Sequence, residues 1–171
     1  EVVDSLLDTV KSNYGKLAHR YYKIKADWMG LDKLEHWDRN APLPEEDDTK
    51  TPYDEAVKIV LDAYEEFDPR MREIGQEFFD NPWIDVPPRK GKDSGAFAHP
   101  VVPSVHPYLL LNYQGKINDI MTLAHELGQG VHQYLAREQG ALMCDTPLTL
   151  AETASVFGEQ LVFRALLNTE K

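Results

Sequence analysis

The chain is poor in cysteine and in positive charge, and it contains no long apolar run. Cys144 is the single cysteine among 171 residues, so the sequence excludes an internal disulfide. No run of about 18 apolar residues is present, so we expect no membrane span. Lysine and arginine number 18 against 29 acidic residues, a net charge of −11, and such a surface repels nucleic-acid phosphates. We therefore expect neither membrane nor nucleic-acid partners, and the lone cysteine fits a reducing, cytoplasmic compartment.

The two ends of the chain indicate a piece of a longer protein. The length is sufficient for one domain with a hydrophobic core. The first residue, Glu1, lies inside a helical pattern, and the chain stops at Lys171 without a tail of its own. We therefore expect flanking parts of the same full-length chain to be among its partners.

Apolar periodicity predicts helices over the first half of the chain. Residues 1–29 carry one apolar seam, which favours a long helix in a helical domain over a coiled coil. Thr51 or Pro52 starts a second helix. Asp68-Pro69 restarts it, because aspartate caps helices and proline suits the first helical position. The proline-rich residues 40–52, which include the acidic run Glu45–Asp48, predict a loop.

The second half combines two further helices with a small β-hairpin. Strand candidates lie near residues 95–99 and 108–113. A third helix covers about 117–138, with Asn118 or Asp119 as its cap, and a fourth runs from Thr146-Pro147 to about residue 168. We expect the apolar side of the fourth helix to consist of Leu150, Ala154, Phe157, Leu161 and Ala165. The predicted fold class is mainly α, with the β-hairpin inserted before the third helix.

The third helix contains an incomplete metal-binding motif. In H-E-x-x-H, two histidines four residues apart lie on one helix face and hold zinc, while the glutamate takes a proton from water. The chain has His125 and Glu126, but Gln129 stands where the second histidine belongs. A separate apolar stripe on another face of this helix is predicted to face the core, and it consists of Leu123, Leu127, Val131 and Leu135.

Two glycines within the same helix predict close packing. Gly128 and Gly130 each cost roughly 0.8–1 kcal/mol relative to alanine in a helix interior. Close approach of another backbone or of a ligand is the natural compensation.

Glu152 is the candidate third ligand. It follows His125 by 27 residues, which allows the third helix to end, a short loop, and an antiparallel return that brings the two side chains together. A glutamate among small and apolar residues is unfavourable unless it is paired or binds metal. On the residues alone, a buried structural histidine at 125 and a solvated glutamate at 152 remain open alternatives.

Four segments in a fixed order resemble the oligoendopeptidase F and thimet oligopeptidase family of zinc metallopeptidases. The resemblance is close over residues 88–160 and weaker at His36–Pro42. It is carried by these segments: Arg89–Phe97, His106–Tyr113, Thr122–Gly128 and Leu150–Ser155.

This resemblance implies a function and a site. It implies a helical metallopeptidase core with a deep channel for short peptide substrates, His125 and Glu152 as zinc ligands, and Glu126 as general base. It also implies that the hairpin near residues 95–113 lines the channel, where an exposed edge could pair with an extended peptide. Oxyanion-stabilising residues of such enzymes lie beyond the third ligand, outside this chain. We interpret residues 1–86 as a helical segment of the peptidase domain and 87–171 as the hairpin, metal-binding helix and third-ligand helix.

Gln129 leaves three states open for the metal site. It could complete a weak zinc site with His125 and Glu152, it could favour another divalent ion that tolerates amide oxygen, or the site could hold no metal. His132 is too far along the helix to replace it, about 10.5 Å from His125. We expect His132 to bond in the cleft, with Glu159 as its partner.

The function hypotheses follow from these states. The first is a zinc-dependent endopeptidase acting on short peptides. The alternatives are a non-catalytic peptide-binding module on a degenerate peptidase fold and a purely structural helical domain. His106 is a further candidate for substrate contact, with an ordinary loop histidine as the favoured alternative.

Overall fold

The computed structural model describes residues 1–42 and 49–169. The predicted acidic run at 45–48 lies outside the described residues. Two compact units are present, residues 1–48 and 49–171. The mainly helical fold predicted from the sequence is confirmed. None of the helices in the described ranges combines the length and the apolar character that crossing a bilayer requires.

The first unit consists of one long helix and the segment that follows it. Helix α1 spans Val2–Trp28, close to the predicted 1–29, and a short 3₁₀ helix covers His36–Asn40. Lys25 is buried, and its ammonium donates to the backbone oxygens of Arg39 at 2.8 Å and Ala41 at 2.7 Å. These two bonds fasten the segment after the helix to its C-terminal turn.

The second unit begins with two helices that form one side of the core. Helix α2 spans Tyr53–Phe67 and helix α3 spans Pro69–Asp80. The predicted restart is confirmed, because Asp68 accepts a hydrogen bond from the backbone N–H of Arg70 at 2.8 Å and Pro69 occupies the first helical turn.

The predicted hairpin is part of a three-stranded sheet. Strands β2 (Phe97–His99) and β3 (Tyr108–Leu110) pair antiparallel, and they are shorter than predicted. Strand β1 (Ile84–Asp85), which the sequence did not predict, pairs parallel to β3 on its other side. The order β1-β3-β2 leaves β2 at an edge of the sheet.

Helices α4 and α5 complete the unit. Helix α4 spans Ile117–Ala136 and helix α5 spans Leu148–Thr169. The predicted cap of α4 is wrong: Lys116 is the cap residue, and Asp119, one turn inside, accepts the backbone N–H of Lys116 at 2.9 Å. The helix places its acidic side chain in the first turn, where it faces the free backbone donors.

Glycines set the distance at which α4 and α5 cross. A Cβ added to Gly128 would lie 2.8 Å from the Ala154 oxygen, and one added to Gly158 would lie 2.8 Å from the Ala124 oxygen. Position 124 therefore faces 158 and position 128 faces 154, so the helices run antiparallel. The predicted compensation for Gly128 and Gly130 is present, since Gly130 packs against the ring of Phe78.

The predicted apolar faces need two corrections. Leu135, the last member of the α4 stripe, is 37% exposed, because α4 ends at the next residue. On α5, Leu150 and Phe157 are exposed, and the buried residues are Ser155, Gly158 and Val162. The glycine contact with α4 rotates α5 so that its small residues, rather than its largest apolar ones, face the core.

Candidate functional site

A cleft of about 620 Å³ lies beside the first half of α4. One wall is α4, another is the segment immediately before β2, and a third is the chain that leaves β3. His125, Glu126 and Glu159 line it, so three of the predicted site residues share one cavity. The other lining residues are Gly95, Ala96, Leu111, Asn112, Tyr113, Asn118, Asp119, Met121 and Thr122.

His125 is oriented by Glu159. Its Nδ1 lies 2.5 Å from Glu159 Oε1. An ionised carboxylate only accepts, so the hydrogen belongs on Nδ1 and the Nε2 lone pair is directed into the site. Carboxylate–histidine pairs of this kind orient metal-binding imidazoles and raise their basicity.

Two side chains converge on the Nε2 side of this imidazole. Glu152 Oε2 lies 3.3 Å from His125 Nε2, and the Gln129 amide nitrogen lies 3.3 Å from the same atom. Two ligands of a tetrahedral ion with bonds near 2.05 Å are separated by about 3.3 Å. The spacing between His125 and Glu152 therefore matches an ion of zinc's size, whereas the Gln129 atom at the same distance is an amide nitrogen, which does not bind zinc. The antiparallel return of α5 predicted from the sequence brings Glu152 to His125.

The amide of Gln129 suits zinc less well than the imidazole of His125 and the carboxylate of Glu152 do. No group of three His, Cys, Asp or Glu side chains within residues 1–42 and 49–169 is arranged to hold a metal ion. Gln129 is the next side chain beside His125 Nε2, and its neutral amide oxygen would bind zinc more weakly than imidazole or carboxylate. The residues thus fit a zinc site of reduced affinity, with His125 and Glu152 as its stronger ligands.

Glu126 is buried beside these groups. Its exposed fraction is 6%. Burial raises the pKa of its carboxyl to about 7. A positive charge on His125, present only when both ring nitrogens are protonated, opposes this shift, and the charges of Glu152 and Glu159 add to it. The carboxylate lines the same cleft as His125, so a substrate in the cleft meets both.

Two residues that were not predicted from the sequence position the site. Ser155 is fully buried, and its hydroxyl lies 2.8 Å from Glu152 Oε2, where it donates to the carboxylate. Tyr64 on α2 donates to the Ala124 oxygen at 2.7 Å and supports the helix turn that carries His125. The sequence spacing could have indicated that Ser155 contacts Glu152, because it follows Glu152 by about one helix turn. No sequence pattern predicts the contact of Tyr64 with Ala124.

His132 and His106 lie outside this convergence. The prediction that His132 bonds to Glu159 is wrong, because Glu159 contacts His125 instead. His132 also does not line the cleft. His106 stacks on Trp83 with ring centres 4.0 Å apart. This stacking gives His106 a packing role, and its contact with a substrate stays a prediction.

Comparisons with known proteins agree on one family. The sequence pattern of peptidase family M3 matches residues 1–171. The chain is 32% identical to oligopeptidase PepF of Bacillus subtilis (strain 168) over 98% of its own length and 25% of that protein. It is 35% identical to group B oligopeptidase PepB of Streptococcus agalactiae over 100% of its length and 28% of that protein. The chain thus spans about a quarter of the length of these relatives.

Solved structures share the fold. A presumed peptidase from Chlamydophila abortus superposes with a TM-score of 0.79 at 29% identity, over 97% of this chain and 28% of that one. Pz peptidase A, solved with an inhibitor, superposes with a TM-score of 0.80 at 20% identity, over 96% of this chain and 30% of that one. At that lower identity the likeness concerns the fold alone.

Proposed function

The chain belongs to peptidase family M3, and we therefore propose that it carries the catalytic centre of a zinc-dependent endopeptidase that hydrolyses short peptides. The observation that carries the proposal is the convergence of Glu152 Oε2 and the Gln129 amide on His125 Nε2, each at 3.3 Å. The relatives named as oligopeptidases support the substrate class.

Each residue of the centre has a distinct role in this proposal. His125 and Glu152 hold the ion, Gln129 turns its amide oxygen to it as a weaker third ligand, and Glu159 keeps the His125 lone pair in place. A bound zinc ion would polarise the scissile carbonyl and increase the acidity of water. Glu126 takes a proton from the attacking water and passes it to the departing amine nitrogen.

The free edge of β2 offers a place for the peptide backbone. Ala96 lines the cleft together with Glu126, and edge strands bind extended peptides through main-chain hydrogen bonds. The role of this edge stays a prediction. So do the cytoplasmic location and the division of one peptidase domain into segments 1–86 and 87–171.

A second candidate function follows from Gln129. Without metal, its amide N–H donates to His125 Nε2, so the site is satisfied internally. A protein that remains in this state would bind peptides without cleaving them.

The test compares three forms of the full native polypeptide on quenched-fluorescent peptides, with zinc content measured by mass spectrometry. We expect the native form to bind zinc and cleave peptide. Gln129→His should raise zinc affinity by at least about tenfold, because it restores an imidazole ligand. Glu126→Gln should abolish turnover and retain metal, because Glu126 moves protons and does not hold the ion.

The matched control is Gln160→His on the exposed side of α5, which should leave zinc affinity unchanged. If neither the native form nor Gln129→His cleaves any peptide, the enzyme proposal fails. Peptide binding without cleavage would then favour the second candidate.

A further inference from the structure

Gln133 on α4 carries a buried acceptor without a partner. Its side chain is 7% exposed, and its amide nitrogen donates to the Ala98 oxygen of β2 at 3.2 Å. Its Oε1 receives no hydrogen bond from any described residue. A carbonyl oxygen only accepts, so the amide nitrogen must face Ala98 and Oε1 must face the opposite way. A buried acceptor of this kind calls for a partner.

Ala98 presents its backbone groups to the free edge of the sheet. The N–H groups of Leu109 and Leu111 donate to Trp83 and Asp85, on the β1 side of β3. Ala98 lies opposite Leu109 in the antiparallel register. Opposed residues in such a ladder alternate between hydrogen-bonded and non-bonded pairs, so the polar groups of Ala98 point away from β3. The Gln133 contact lies on that outer side.

The Gln133 amide therefore occupies the position of a peptide group on a neighbouring strand. Its N–H bonds the Ala98 oxygen as the N–H of an added strand would. Ala96 immediately precedes β2, two residues before Ala98 and about 6.8 Å from it in an extended chain, and it lines the cleft with Glu126 and His125. A peptide on this edge can pair at Ala96, but at the Ala98 oxygen it meets a side chain already in place.

We infer that Gln133 closes one end of the peptide groove and that its Oε1 accepts a backbone N–H, or the terminal ammonium, of the bound peptide on the N-terminal side of the scissile bond. The inference rests on the proposed peptidase function. A terminal ammonium at this acceptor fixes the polarity of the peptide, because the amide oxygen attracts an ammonium and repels a terminal carboxylate. The peptide then runs antiparallel to β2, with its N-terminal part towards Ala98.

The experiment combines a peptide series with a protein variant. One cleavable peptide is N-methylated at single positions along its backbone, and kcat/KM is measured for the full native protein and for Gln133→Met, which keeps the length of the side chain and removes both polar atoms. With the native protein, methylation at one position N-terminal to the cleaved bond should reduce kcat/KM about fivefold to tenfold more than methylation at the neighbouring positions does. This factor corresponds to the free energy of one hydrogen bond.

In Gln133→Met this extra penalty should disappear, while the penalties at the other positions stay as in the native protein. Gln160→Met, exposed on α5, is the matched control and should keep the native pattern. Dissociation constants of the same peptides, measured with the Glu126→Gln variant, show how much of each change in kcat/KM comes from binding, because this variant should not cleave the peptides.

The outcomes separate the two proposals. If peptides are cleaved but no N-terminal position depends on Gln133, or the dependent position lies C-terminal to the cleaved bond, the Gln133 inference is overturned and the peptidase function stands. If no form binds or cleaves peptide, both fall. Should Gln133→Met fail to fold, the native methylation series decides alone, because absence of a single sensitive N-terminal position contradicts the inference.

Discussion

At the scale of single residues, Glu159 and Ser155 orient the two proposed zinc ligands, His125 and Glu152. Glu159 fixes the tautomer of His125 from the Nδ1 side, and Ser155 holds the carboxylate of Glu152. Such outer contacts matter more where the third ligand is weak, because fewer bonds to the ion compensate for a misplaced donor.

Replacing Glu159 by glutamine should weaken metal binding by about 10–100-fold. The amide keeps the size of the side chain but removes the negative charge that increases the basicity of His125. The affinity is measured by competition with a chromophoric zinc chelator. Glu66→Gln, on an exposed position of α2, is the control. An affinity equal to that of the native protein would contradict the assignment of His125 as a ligand.

At the scale of elements, the crossing of α4 and α5 determines the distance between His125 and Glu152. The crossing is close because Gly128 and Gly158 have no Cβ, and Tyr64 lies against both positions. A wider crossing would move Glu152 away from His125, so the glycines contribute to the site as well as to the core.

Gly158→Ala should lower the free energy of unfolding by about 1–3 kcal/mol. The new Cβ would lie 2.5 Å from the Tyr64 hydroxyl and 2.8 Å from the Ala124 oxygen. We expect the energetic cost of this overlap to exceed the roughly 1 kcal/mol by which alanine is favoured over glycine in a helix. Urea unfolding measures the change. Gly15→Ala in exposed α1, where the nearest atom is 3.8 Å from the new Cβ, should be neutral or stabilising. Equal effects at both positions would contradict the close crossing.

The turn between β1 and β2 is fastened by an ionic cluster. Arg89 donates to both oxygens of Asp85 at 2.6 and 2.7 Å. The buried ammonium of Lys92 donates to the Asp85 backbone oxygen at 2.9 Å and pairs with its carboxylate at 3.1 Å. Hydrogen bonds from Arg89, joined by Lys92, lower the pKa of Asp85 to about 2.

Asp85→Asn should therefore destabilise the protein slightly at neutral pH, and the difference should shrink in acid. Because the pKa of Asp85 is lower in the folded state than in the unfolded state, its ionised carboxylate stabilises the folded protein at pH values above the unfolded-state pKa of about 3.9. This contribution is lost as the pH falls through the folded-state pKa of about 2. Urea unfolding of both forms between pH 7 and the lowest pH at which they fold measures it. The arginine and the carboxylate are exposed, so solvent screening keeps the effect small. A difference that grows below pH 4 would contradict the pairing.

At the scale of the whole molecule, the apolar core belongs to the second unit. Every residue of the core cluster, with the partly buried residues packed on it, lies between 53 and 166. Among residues 1–42, the described part of the first unit, Lys25 and Ala26 are buried, and the seam of α1 is largely exposed. The stability of the site thus depends on residues 49–171.

A chain of residues 49–171 should fold by itself with a cooperative unfolding transition. It retains the complete core cluster and both helices of the site, and 123-residue domains bury enough surface to be stable. Circular dichroism during urea titration measures this. A gradual, non-cooperative transition would show that the core needs the first 48 residues.

Local rules explain what the sequence by itself determined. Periodicity located the helices, and the i, i+4 spacing placed His125 and position 129 on one helix face. The short connection after α4 predicted the return that brings Glu152 to His125. These inferences succeeded because they depend on neighbours within one or two helix turns, or on the length of a loop.

Only the tertiary structure decided the remaining contacts, because they join residues far apart in the chain. The pairing of two-residue β1 with β3, the support of Ala124 by Tyr64, and the bond from Gln133 to Ala98 leave no periodic pattern in the sequence. The same holds for Glu159, whose partner proved to be His125 rather than His132, since the choice depends on how the glycines rotate α5 against α4. Packing at a close helix crossing fixes which side chains meet, and no local preference encodes that rotation.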